Sequence, residues 1–412
     1  MQTATAPRLG RVEFTALLAM SMALAALGTD MMLPALGAMR SDFGLPPDST
    51  EVAGVVTAYF FGLALGQIVY GPLADRFGRK PTLYLGYGIY MAGAVVSALA
   101  PQLSLMLVAR FVWGLGAAGP RVITLSVVRD RFEGEAMSRA MSFIMAVFVV
   151  VPILAPTLGA LILAFAHWRW IFWASAILAA AMALWATRLQ ESLDPINRME
   201  LRFGRLAEAT RQILGHRQTL GYTLALTSLM GVFTSYLASS EIIYGEVFGA
   251  ADEFPLLFGA MAAVMGSAML TNGFVVGRFG TRRIAHVLLL VYVVAAAGFF
   301  ILAAAHDGKP PLPLFMVGLG VMLVCQAFLM PNFNTIAMDP MGEVAGTASA
   351  LIGTLSTAGG ALIGTFIDRS FDGTVIPFTL AFTILGVVAL TCVTWAERGR
   401  LFQPLRPVVR AG

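Results

Sequence analysis

Asp30 and Arg110 are the residues best placed to do chemistry in this chain. Asp30 lies in Gly28-Thr29-Asp30-Met31-Met32-Leu33-Pro34, roughly two-thirds of the way along an apolar run at 14–36. A carboxylate so deep in apolar sequence is costly unless it faces water or a partner. Arg110 lies about seven residues into a second run, 103–125. If the two runs cross a bilayer in opposite senses, a helical rise of 1.5 Å per residue sets them about 9 and 10 Å below the same membrane face. Burial disfavours the charged carboxylate, whereas a neighbouring guanidinium favours it. An acid under two opposed influences gains and loses a proton as its hydration, or its distance from Arg110, changes. The pair reads as a proton-coupling site, with a fixed ion pair between helices as the plainer alternative.

Other candidates are weaker. Arg121 follows Arg110 by eleven residues, three helical turns, so both leave nearly the same helix face. It either attracts an anionic substrate or serves structurally, holding carbonyls or snorkelling inward. Glu241, near the end of its helix, reads first as an interfacial acid; facing a cavity, it would bind a cationic substrate. Tyr59, Met145 and Tyr236 complete a candidate substrate pocket. Gln326, Asn332 and Asn334 read as hydrogen-bonding groups between helices. Pro152 and Pro156 each remove a backbone donor from one helix and are expected to bend it, as a gate element or a static kink.

The elements that must position these residues follow from composition. The 412 residues are 58% apolar and only 12% charged, against about 45–50% and 25% in soluble globular domains. That excludes a soluble globule, a disordered chain and a nucleic-acid binder, and makes the lipid bilayer the solvent. Twelve apolar runs are long enough to span it, near 14–36, 51–73, 82–99, 103–125, 138–162, 168–188, 219–241, 254–277, 284–304, 312–336, 344–368 and 376–396. The widest break, 189–218, is basic, and Leu206, Thr210, Ile213 and Leu214 recur in it at helical spacing, as in a surface helix. The expected fold is all-α and integral to the membrane. It comprises a six-helix bundle over 1–188, a cytoplasmic linker over 189–218, and a second six-helix bundle with a cytoplasmic tail over 219–412. With both termini cytoplasmic, 21 of the 27 Lys and Arg residues fall inside and four outside, the asymmetry expected of membrane topology.

The halves repeat. Gly71-Pro-Leu-Ala-Asp75-Arg76-Phe77-Gly78-Arg79-Lys80 follows the second run, and Gly273-Phe-Val-Val-Gly277-Arg278-Phe279-Gly280-Thr281-Arg282 follows the eighth, displaced by 202 residues. Two pseudo-symmetric halves with a substrate site near mid-membrane are a recurrent transporter plan. Gly71 and Gly78 permit close packing and a tight turn. Asp75 can pair with basic groups or receive N–H bonds at a helix start, so Gly71, Asp75, Arg76, Gly78 and Arg79 form a candidate gate motif.

Only Lys80 and Lys309 are lysines, and neither completes a nucleotide-binding loop. His167, His216, His286 and His306 are isolated, and Cys325 and Cys392 lie in apolar runs. No catalytic residue, metal site or cofactor is expected, and an enzyme is disfavoured. The partners are a small-molecule substrate, protons and the bilayer, with no nucleic acid, and the chain is expected to work as a monomer.

These motifs resemble those of the major facilitator superfamily across essentially the whole chain. More narrowly they are similar to the twelve-helix drug–proton antiporters of the bicyclomycin and chloramphenicol resistance branch. Gly71 to Lys80 matches the superfamily loop in full. Asp30 with Leu33-Pro34 matches the acidic first helix of the branch, whose acid the resemblance implicates in proton coupling. Arg110-Phe-Val-Trp113-Gly114-Leu-Gly116 resembles the helix 4 motif, with Trp113 where glutamine is usual. The helix 5 antiporter motif is partly kept: Pro156 and Gly159 remain, while Val150, Ala155 and Ala160 replace glycines. Asn332 to Leu351 is also similar to helices 10 and 11 of the branch. The resemblance implies export of drug-like molecules in exchange for protons across a bacterial inner membrane. The alternatives are a carrier of an organic anion or metabolite drawn by Arg110 and Arg121, or a membrane sensor that does not transport.

Overall fold

The computed structural model describes residues 9–194, 196 and 203–402. Among them there is helix and turn but no strand. Twelve helices are long and apolar enough to cross a membrane, as the apolar runs predict.

Helix α1 spans Arg11–Asp30, followed by a 3₁₀ turn at Leu33–Ala35 and the short α2, Leu36–Asp42. The sequence reads this region as one helix, and the structure breaks it at Asp30. Pro34 supplies the reason: it has no N–H to give to the carbonyl four residues back, which is that of Asp30. Then come α3 (Gly54–Phe77), α4 (Arg79–Leu99), α5 (Leu103–Arg131), α6 (Gly134–Phe165) and α7 (Arg169–Trp185). After the linker come α8 (Phe203–Gly215), α9 (Arg217–Ile242), α10 (Phe254–Phe279), α11 (Thr281–Ala304), α12 (Leu312–Met338), α13 (Ala345–Arg369) and α14 (Ile376–Ala396). Helix α6 is continuous through Pro152 and Pro156. Helix α8 occupies part of the basic break; Ala209 and Ile213 are buried and Leu214 is exposed. Leu206 lies where side chains are outside the described set.

The chain forms two compact units. The first is Met1–Gly204 with Tyr236–Gly259, and the second is Arg205–Ser235 with Ala260–Gly412. In the first, α5 packs against α1, α3 and α4, and α1 also packs against α6. In the second, α11 packs against α12 and α14.

The repeat is expressed as backbone geometry. Gly78, between α3 and α4, has φ 104° and ψ 159°. Gly280, between α10 and α11 and 202 residues later, has φ 84° and ψ 145°. Both lie where only glycine sits without strain. Each half therefore turns from its second to its third spanning helix at an equivalent residue.

Candidate functional site

The site is assembled around the C-terminal end of α1. The last carbonyls of a helix have no intrahelical partner, and here side chains from three other helices reach carbonyls in the final turns of α1. The Tyr90 hydroxyl donates to the Leu24 carbonyl at 3.0 Å, and the Tyr59 hydroxyl to that of Ala25 at 2.7 Å. Arg110 Nη1 donates to the Gly28 carbonyl at 2.7 Å, and its Nε to that of Val55 on α3 at 3.1 Å. A guanidinium at a helix C-terminus also meets the negative end of the helix dipole favourably.

Arg110 is fully buried. Its Cζ lies 4.5 Å from the Tyr59 ring centroid and 4.6 Å from that of Trp113, a cation–π geometry that substitutes for lost hydration. Tyr59, Tyr90 and Trp113 are also buried, and their polar atoms converge on Gly28. A Cβ there would lie 2.9 Å from Tyr59 Oη, 3.1 Å from Tyr90 Oη and 3.3 Å from Trp113 Nε1. Trp113 therefore forms one wall of the arginine's aromatic cage. One donor, Arg110 Nη2, is buried with no hydrogen-bond acceptor.

Asp30 ends α1 and is 5% exposed. The ion pair with Arg110 is not formed: no basic side chain among the described residues pairs with Asp30. The sequence expectation of a common level holds, because Arg110 binds the carbonyl two residues before Asp30. In place of the expected contact Arg110 bonds two carbonyls, that of Gly28 at the broken end of α1 and that of Val55 on α3. Tyr59 and Tyr236 are electrostatic neighbours of Asp30. Just beyond Asp30, α6 packs closely: a Cβ on Gly159 would collide with the Met31 carbonyl oxygen.

Several of the other candidates have contacts of their own. Tyr59 is committed to the α1 carbonyl, and the Tyr236 ring stacks on Phe258 at 5.3 Å. Met145 is half-buried on α6. Glu241 is not a free carboxylate awaiting a cation. It accepts from Arg40 Nη2 at 2.9 Å, the two side chains being 16% and 8% exposed, while Arg40 Nε donates to the Ser49 carbonyl at 3.0 Å. Arg121 is half-buried on α5 with no hydrogen bond or ion pair to any described residue. In the second unit Asn332 donates to Asn272 at 2.9 Å, and Gln326 donates weakly to the Leu229 carbonyl and Tyr292 hydroxyl, both at 3.4 Å, so these are interhelical bonds. Asn334 is exposed.

At the Gly78 turn, Arg79 pairs with Asp75 and, at 2.9 Å, with Asp130 on α5. The carboxylate of Glu191 accepts the backbone N–H groups of Arg79 and Lys80 at 2.9 and 3.0 Å. An anion thus occupies the N-terminus of α4, where unsatisfied donors and the helix dipole favour it. Gly78 leaves room for it: a Cβ there would lie 2.6 Å from Glu191 Oε2. Arg76 stacks over Phe77 at 5.3 Å, and a Cβ on Gly71 would meet nothing within 4 Å. Asp130 and Glu191 escape sequence reading because each is far along the chain from the motif it serves. The available signal is an acid just past α7 and another in the last turn of α5.

A model of the Major Facilitator Superfamily matches residues 18–365. The chain belongs to that superfamily. Its relatives include the MFS-type transporter YdgK of Bacillus subtilis, 26% identical over 92% of this chain and 94% of that one. A bicyclomycin resistance protein homolog of Haemophilus influenzae is 28% identical over 88% of this chain and 91% of its own. Among solved structures, a D-xylose-proton symporter superposes with a TM-score of 0.73 at 15% identity, covering 95% of this chain and 99% of the symporter. That likeness concerns the fold. Membership makes this superfamily chain a multi-pass membrane transporter rather than an enzyme.

Proposed function

We propose that the chain exports small drug-like molecules in exchange for protons by alternating access, and that Asp30 and Arg110 couple the two fluxes. The relatives named for drug resistance support the substrate class. The observation that carries the coupling is a buried acid without a counter-ion, two residues from a carbonyl held by a buried arginine whose Nη2 has no acceptor. A carboxylate in an apolar interior carries charge only at a cost, and the C-terminal end of α1 adds partial negative charge; a proton relieves both. When the proton leaves, a shift that brings Arg110, whose Nη2 has no acceptor, toward Asp30 would compensate the charge. The close seat of Gly159 on Met31 joins α6 to the same broken segment, so movement of α6 would alter the surroundings of Asp30.

In this cycle Asp30 takes its proton from the outward-open state and gives it up to the inside. The bundles 1–188 and 219–412 rock about the site, with the Asp75–Arg79 turn fastening the cytoplasmic face. The chain works as a monomer in a bacterial inner membrane with both termini in the cytoplasm. Proteoliposomes under an imposed pH gradient test the reading. Asp30→Asn is expected to abolish gradient-driven flux while retaining substrate binding; transport at the wild-type rate and gradient dependence would refute the assignment.

A further inference from the structure

Arg121 is the buried-face cation that the mechanism above leaves unused. Eleven residues beyond Arg110, it leaves α5 within about 20° of the same direction and about 16 Å further along the axis. That face is turned toward α1 and α3. Arg110 on it bonds the Gly28 and Val55 carbonyls, and Thr124, one turn past Arg121, donates to the Leu18 carbonyl of α1 at 3.3 Å. Ala117, Ala118 and Thr124 around it are fully buried, and Tyr59 of α3 is its electrostatic neighbour. Arg121 itself keeps partial solvent access and makes no hydrogen bond or ion pair with the described residues.

Arg121 lies four residues, about 6 Å, before the inner end of the apolar run at 125, and helical side chains lean toward the N-terminus, away from that end, so snorkelling would have to run against the lean of the side chain. A guanidinium held so far inside an apolar helix needs a counter-charge or acceptors. The neighbouring charges do not supply one. Arg40 is matched by Glu241, and Arg79 by Asp75 and Asp130. Within the apolar runs of the first unit, the described charges left without an ion pair are Asp30, Arg110 and Arg121, an excess of positive charge whether or not Asp30 carries a proton; the buried Asp368 belongs to the second unit, where it accepts from Ser235.

We propose that Arg121 is a specificity-determining substrate contact, and that the exported molecule presents to it a carboxylate or similar anionic oxygen group. This rests on the export reading above and narrows its substrate class. The contact lies three helical turns from the proton site, so substrate need not displace the proton sterically. Fork-like N–H groups suit a two-oxygen anion particularly well.

Three probes of one shape test this: 2-naphthoate, 2-naphthamide and 2-naphthylmethylammonium, titrated calorimetrically into the purified full chain. The wild type is expected to bind naphthoate at least tenfold more tightly than the ammonium compound. Arg121→Gln should weaken naphthoate binding tenfold or more and leave the amide within about threefold, while Arg121→Lys retains part of the preference. An unchanged naphthoate affinity in Arg121→Gln, a wild type that favours the ammonium probe, or no naphthoate binding at millimolar concentration overturns the proposal. Should Arg121→Gln fail to fold, the wild-type order of the probes decides alone. Gradient-driven uptake into inverted proteoliposomes separates the two claims. Arg121-dependent naphthoate binding without flux would fault the export reading only. Naphthoate flux equal in wild type and Arg121→Gln would fault the anion contact only.

Discussion

Removing the carboxylate of Glu241 should unfasten Tyr236–Gly259 from the rest of the first unit. At 2.9 Å and an effective dielectric of about 20, the charges of Arg40 and Glu241 attract by roughly 6 kcal/mol. Glu241 retains some solvent access, and screening together with the cost of desolvating both groups leaves about 3 kcal/mol, the lower end of the range for breaking a buried pair. Glu241→Gln strands the Arg40 guanidinium, whose only other bond among the described residues is to the Ser49 carbonyl. Three kcal/mol is roughly a hundredfold change in an equilibrium. Met39, fully buried beside Arg40, is a suitable reporter. In a Met39→Cys background, labelling by a membrane-impermeant maleimide should accelerate by one to two orders of magnitude on Glu241→Gln. The exchanged pair Arg40→Glu with Glu241→Arg should recover most of the protection. If the single variant labels at the parent rate, or a double-mutant cycle gives a coupling below about 0.5 kcal/mol, the pair does not hold this segment.

Two further outcomes follow from close contacts. Gly159→Val puts a branched side chain where even a Cβ collides with the Met31 carbonyl. It should reduce transport tenfold or more while the protein still inserts, and transport at half the wild-type rate or better would show that α6 can withdraw freely. Glu191→Ala leaves the Arg79 and Lys80 amides uncapped and should cost about 1–2 kcal/mol, read as earlier thermal unfolding in detergent. An unchanged unfolding temperature would mean that water caps α4 equally well.

Hydropathy alone located the spanning helices, because a bilayer demands long apolar runs whatever the packing. The repeat was equally legible: the Gly78 and Gly280 turns need the same residue at the same offset. The break after Asp30 was available in Pro34 but hidden by an apolar run that continues through it. The partners of Arg110 could not be read, since a charge invites a search for an opposite charge, and here they are backbone carbonyls, Gly28 beside that break and Val55 on α3. Arg40–Glu241 and Arg79–Asp130 join positions far apart in the chain, beyond what periodicity reports. Glu241 read first as an interfacial acid because its partner Arg40 lies 201 residues away.

The turn conserved between the halves has a lopsided inheritance. At the positions equivalent to Asp75 and Arg79 the later copy carries Gly277 and Thr281, so it cannot form the earlier copy's ion pair. Arg282 pairs there with Glu397 at 3.5 Å, an acid just past α14 that also accepts from the Tyr222 hydroxyl at 2.9 Å. Duplication thus preserved a bend while its electrostatic restraint diverged. The earlier elbow is secured by residues from two helices and the inter-half connector, whereas the later one is held by Gln218 of α9, which accepts from Arg282 Nη2 at 2.8 Å, and by Glu397 beyond α14. Shortening the chain before Glu397 would therefore remove one of two restraints on the later elbow and leave its twin intact.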